Sequence, residues 1–78
     1  MDSFLIFKQY PFKGKTKRFM IHNSVNKSIL GRVLYYPQWR KYVFIPVDGV
    51  IFDSKCLVEI YEFLDKENNE RKELLKFK

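Results

Sequence analysis

Apolar and aromatic runs separated by turn residues fill the first 46 residues, and the spacing of apolar positions then changes to that of a helix. Phe4 to Tyr10 is apolar with high β propensity, and Pro11 ends it. Pro11-Phe12-Lys13-Gly14-Lys15 has turn chemistry. Lys17 to His22 interleaves basic and apolar residues and predicts a second strand. Asn23 to Ser28 is a polar turn. Ile29 to Tyr36 reads as a third strand, in which Gly31 marks a bulge or a close backbone approach. Pro37-Gln38 turns the chain into a fourth strand, Trp39 to Ile45, which Pro46 closes. Asp48-Gly49 is a turn signal, and Val50-Ile51-Phe52 fits a short fifth strand or an extended lead into a helix.

Asp53 is suited to cap that helix, because its carboxylate can accept a bond from an orphan amide of the first turn. Phe52 and Leu57 occupy the two positions of a hydrophobic staple. Leu57, Ile60, Tyr61 and Leu64 follow i, i+3, i+4, i+7 spacing, with Cys56 and Phe63 widening the stripe. This face is expected to tie the helix to the sheet. Asp65 to Glu73 is entirely polar, Asn68-Asn69 reads as a helix end, and Leu74-Leu75-Lys76-Phe77 restores apolar character.

The expected fold is α+β: an antiparallel sheet of four to five strands with one main C-terminal helix packed on one face. The division is a single domain over 1–66 and a polar extension, helical or disordered, over 67–78. A chain of 78 residues supports one domain with a modest core, so a homodimer is favoured over a monomer.

Charge sharpens this picture. Residues 1–47 hold nine Lys or Arg against Asp2, a balance of +8, and residues 48–78 hold six basic and eight acidic residues, a balance of −2. Ten of the fourteen aromatics also lie in the first part. A segregated charge creates a field that attracts an anionic partner. Cys56 is the sole cysteine, so an intrachain disulfide is excluded. The apolar run Phe4-Leu5-Ile6-Phe7 is too short for a signal-peptide core or a membrane span. A cytoplasmic protein without a membrane partner is expected.

Catalytic signals are sparse. Gly14-Lys15-Thr16 matches the end of a phosphate-binding loop, but Gln9 stands where that motif needs glycine, and a strand pattern follows instead of a helix. His22 is the only histidine and lacks partners for a triad or a zinc site. Cys56 lies on the apolar side of the helix and reads as a small buried side chain, although its first-turn position could lower its pKa. Glu59, Glu62 and Asp65 read as a solvated face. The chain is therefore read as non-enzymatic, with no cofactor and no metal.

The main candidate site is the basic, aromatic hairpin. Alternation separates Leu30, Arg32, Leu34 and Tyr36 from Ile29, Gly31, Val33 and Tyr35. It separates Trp39, Lys41, Val43 and Ile45 from Arg40, Tyr42 and Phe44. One face of each strand covers the core, and the other still carries rings beside cations. Exposed rings that stack on bases, with Lys or Arg nearby, are how many sheets hold single strands. Lys17, Arg18, Arg32, Tyr36, Trp39, Arg40, Lys41 and Tyr42 form the candidate nucleic-acid or partner-binding set. The structural alternative is that the aromatics simply fill a small core. Trp, Tyr and Arg also anchor protein interfaces.

Gly31, the run Trp39 to Pro46, Phe52 and the run Cys56 to Leu64 resemble a pattern in short uncharacterised proteins of phages and other mobile elements. Those proteins share a Trp, an aromatic strand ending in Pro and a closing helix. The resemblance covers roughly residues 29–66. It implies an accessory or host-interaction setting, in the host cytoplasm if the chain is phage-encoded. It carries no catalytic residues. The two functions weighed are nucleic-acid binding and inhibition or modulation of a host protein, in host takeover or anti-defence.

Overall fold

A computed structural model describes residues 4–11 and 14–76, with side chains of the last helical turns described as far as Lys72. Phe12, Lys13 and Phe77, and the side chains of Leu74 and Leu75, fall outside the described residues. The chain folds as α+β, with β1 (Leu5–Gln9), β2 (Phe19–Asn23), β3 (Ile29–Tyr36), β4 (Lys41–Pro46) and α1 (Ser54–Lys76). The strands form one antiparallel sheet in the order β1-β2-β3-β4, and α1 packs on one face of it. Each strand pairs with its sequence neighbour, as short connections favour. Val50-Ile51-Phe52 joins no strand, and Ile51 is almost fully exposed.

The register decides which side chains face the helix. Phe7 pairs with Ile21, Phe19 with Val33, Val33 with Phe44, and Tyr35 with Tyr42. Paired residues in an antiparallel ladder share a face. Leu5, Phe19, Ile21, Val33, Tyr42 and Ile60 are buried together, with Phe7, Tyr35, Phe44, Phe52, Cys56, Phe63 and Leu64 packed around them. Phe63 stacks on Phe7 at 4.3 Å and meets Phe19 edge-on at 4.8 Å, which locks the helix across β1 and β2. Gly31 is needed where it stands: a Cβ there would lie 2.5 Å from the Phe44 ring and 2.7 Å from the Ile45 carbonyl oxygen. The Phe44 ring leans into that gap and meets Phe52 edge-on at 5.4 Å.

The cap at Asp53 holds as expected. Its carboxylate accepts the Cys56 backbone N–H at 2.9 Å. That bond, from the third residue of the helix, holds the Asp53 carboxyl below its usual pKa. A lowered carboxyl pKa adds stability above the ordinary value near 3.8 that is lost as pH falls through the folded value.

The helix is rotated relative to the expected stripe. Leu57 is 51% exposed and Tyr61 is exposed, so neither belongs to the core that ties the helix down. The inward face is Cys56, Ile60, Phe63, Leu64 and then Glu67. Nor does the helix end at Asn68-Asn69; it runs to Lys76. It also crosses the boundary expected at residue 66, because Glu67, Asn68 and Arg71 contact the sheet side. Lys17 Nζ lies 3.1 Å from a Glu67 carboxylate that is 6% exposed, and 3.4 Å from Glu70. Asn68 Oδ1 accepts the Tyr42 backbone N–H at 2.6 Å, which satisfies a donor of the edge strand β4. The Arg71 guanidinium sits 4.2 Å from the Tyr35 ring centroid.

The Glu67 bond raises the pKa of Lys17. A raised lysine pKa gives stability that is complete below the ordinary 10.5 and is lost as pH climbs through the folded value. Replacing Lys17 by methionine leaves the buried Glu67 carboxylate without its partner. The expected loss is about 1–3 kcal/mol, measured by urea unfolding at neutral pH.

Candidate nucleic-acid interface

With α1 on one side, the opposite face of the sheet is open among the described residues. The pairings place Lys8, Met20, Arg32 and Ile45 in one row across all four strands. Ile6 pairs with His22, Leu34 with Val43, and Tyr36 with Lys41 on the same face. Lys8, Arg32 and Lys41 are exposed, and the apolar residues between them are half-buried. At the usual strand spacing, Lys8 and Arg32 stand about 10 Å apart at the backbone, and Arg32 and Lys41 about 14 Å. The three cations thus flank an apolar floor of Met20, Leu34, Val43 and Ile45. No Asp or Glu occurs in any of the four strands.

The β3–β4 turn adds rings at one end. Trp39 N–H donates to the Tyr36 carbonyl and Arg40 N–H to the Pro37 carbonyl, both at 3.2 Å. Pro37 supplies the fixed φ of the first turn position. Arg40 closes the loop at φ 54°, a left-handed backbone that a side chain adopts at some cost. The turn holds Trp39 64% exposed and edge-on to Tyr36 at 5.0 Å. Tyr36 is half-buried, so Trp39 offers the freer ring.

No protein-family model, curated protein or solved structure matches this chain.

The structure brings Arg32, Tyr36, Trp39, Arg40 and Lys41 to the open face and its adjoining turn. Two of the sequence-derived candidates go elsewhere. Tyr42 is 5% exposed, packs edge-on against Tyr35, and its hydroxyl accepts the Lys17 N–H at 3.0 Å. Its ring belongs to the core because alternation puts position 42 on the helix side. Lys17 is committed to Glu67 and Glu70 on the helix side. Arg18 lies one residue before β2, half-buried and already engaged. Lys8 and Met20 are the additions that sequence reasoning missed. Each alternates correctly within its own strand, but only the register between strands sets them beside Arg32.

His22 Nδ1 lies 3.2 Å from the Lys27 carbonyl oxygen, in the β2–β3 turn. Burial, followed by Asp53, pushes the Cys56 thiol above its ordinary pKa, the reverse of the activation a first-turn thiol can receive. Cys56 is accordingly expected to react with iodoacetamide at pH 7.5 more slowly than a free cysteine, as followed by mass spectrometry. Among the described residues, no cluster of three or more His, Cys, Asp or Glu could hold a metal, and no helix is long and apolar enough to cross a membrane.

Proposed function

We propose that this chain is a small accessory protein of phage type that binds single-stranded nucleic acid on the open sheet face. The observation that carries this reading is the face whose strands hold no acid, where Lys8, Arg32 and Lys41 flank an apolar floor and the exposed Trp39 ring stands at one end. Cations spaced across a sheet hold a phosphate backbone without reading sequence. A ring free on one side adds about 1–3 kcal/mol for each base that stacks on it. The division of labour is then simple: cations fix the strand, Trp39 with Tyr36 takes a base at the turn, and Met20, Leu34 and Val43 accept base edges or sugars. Titrating a short oligothymidylate into isotope-labelled protein tests it. The Trp39 indole and the Met20 and Val43 methyl signals should move together, while those of Leu57 and Val58 stay fixed. Movement confined to the helix would reject the site.

One observation favours a second reading. Leu57, Val58 and Tyr61 are exposed side by side on the outer face of α1. Exposed apolar neighbours of this kind serve as protein-contact surfaces, which suits inhibition or modulation of a host protein. Capture of a host protein that survives nuclease treatment and is abolished by Tyr61→Arg would favour this reading over the first.

A further inference from the structure

A cleft of about 360 Å³ opens where the far half of α1 passes the β3–β4 turn. Four cations line it: Arg40 from the turn, Lys41 from the start of β4, and Arg71 and Lys72 from the helix. Asp65 is the single carboxylate in the wall, and Asn69 already engages it, its Nδ2 donating to Asp65 Oδ2 at 3.4 Å. None of the four cations forms an ion pair among the described residues. A concentration of like charge in a concave site is repulsive when empty and is relieved by an anion.

Two features make this more than a charged surface. Arg71 is held in place over the Tyr35 ring, and its Nε is buried without a hydrogen-bond partner. A buried donor left unpaired is costly, and a small turn of the guanidinium toward an oxyanion in the cleft would satisfy it. Asn68 is fixed as well, because its Oδ1 is committed to the Tyr42 N–H, which leaves the Nδ2 amide as a donor. The cleft therefore pairs preset donors with an excess of positive charge. Arginine with its planar fork suits phosphate oxygens better than it suits a small halide.

We infer that this cleft is a phosphate-binding site. The inference rests on the nucleic-acid reading only for the source of the phosphate: a strand leaving the open face over the β3–β4 turn would place one there, since Lys41 belongs to both surfaces. A free nucleotide or another phosphate compound presents the same chemistry.

The test follows the Arg71 Nε–H and the Asn68 and Asn69 side-chain amides by NMR. Three probes are added separately at fixed ionic strength: inorganic pyrophosphate, a 5′-phosphorylated oligothymidylate, and the same oligomer with a 5′-hydroxyl. Pyrophosphate should move all three groups. Lys72→Glu, at an exposed position, should weaken that binding about fivefold or more without lowering the melting temperature. Arg71→Gln should abolish it, and Lys72→Glu keeps the test decisive if Arg71→Gln does not fold. Response to the phosphorylated oligomer alone assigns the site to a strand end, and response to both oligomers assigns it to the strand backbone. Silence of the cleft to every probe overturns the inference, even if the oligomers still move the open face. Equal shifts in the wild type and Lys72→Glu also overturn it, because they show that the cleft's charge does not hold the anion. A cleft that binds pyrophosphate while no oligomer moves the open face keeps the site and removes the reading of the face.

Discussion

Truncating Ile60 to alanine is expected to cost about 2–5 kcal/mol, and truncating Leu57 less than about 1 kcal/mol. Both residues lie on the apolar stripe visible in the sequence, three positions apart. Ile60 is 4% exposed and sits in the core with Ile21 and Val33, whereas Leu57 is 51% exposed. The loss at Ile60 combines the transfer of a buried side chain with the cavity left behind. At Leu57 water can occupy the vacated space, and only part of the apolar area is at stake. Urea denaturation of the two variants, with comparable slopes, measures the difference. Equal losses would mean that the helix sits about one position round from the packing described above.

This contrast shows where the sequence is legible. Ile29–Tyr36 is delimited by turn chemistry on both sides, and the strand occupies those residues. The Asp53 cap is a local interaction between near neighbours, and it forms as read. The rotation of the helix is not local. It goes with the packing of Phe63 on Phe7 and Phe19, which leaves Leu57 and Tyr61 exposed. The far half of the helix was hidden for a different reason. Asp65 to Lys72 has no apolar residue, so it carries no periodicity to read. Its attachments are polar: Glu67 to Lys17, Asn68 to the Tyr42 amide, and Arg71 over Tyr35. These pairs are separated by 26 to 50 positions where a hydrogen bond joins them. The helix-breaking tendency of two asparagines yields to that tertiary anchoring.

The candidate site was legible to a similar degree. Alternation correctly grouped Arg32 with Leu34 and Tyr36, and Lys41 with Val43 and Ile45. It left open which group faces the helix. Position 42 fell to the core, taking Tyr42 out of any interface. Charge segregation identified the half of the chain, but not that Lys17 is spent on Glu67.

Charge reversal on the open face should have the largest functional effect. The triple variant Lys8→Glu, Arg32→Glu, Lys41→Glu is expected to weaken oligothymidylate binding by about a hundredfold or more at low salt. All three side chains are exposed and none forms an ion pair among the described residues, so the melting temperature should barely change. Fluorescence anisotropy with a labelled oligomer reads the affinity, and circular dichroism reads the fold. A variant that keeps its fold and its affinity would place the nucleic acid elsewhere.

The most direct test of the open face is the salt dependence of that affinity in the wild type and in Arg32→Gln. If the three face cations each meet a phosphate, the slope of log K against log salt is about −2 for a single strand, and losing Arg32 makes it shallower by about 0.7. An affinity that is absent at low salt, or a slope that Arg32→Gln leaves unchanged, would contradict the account.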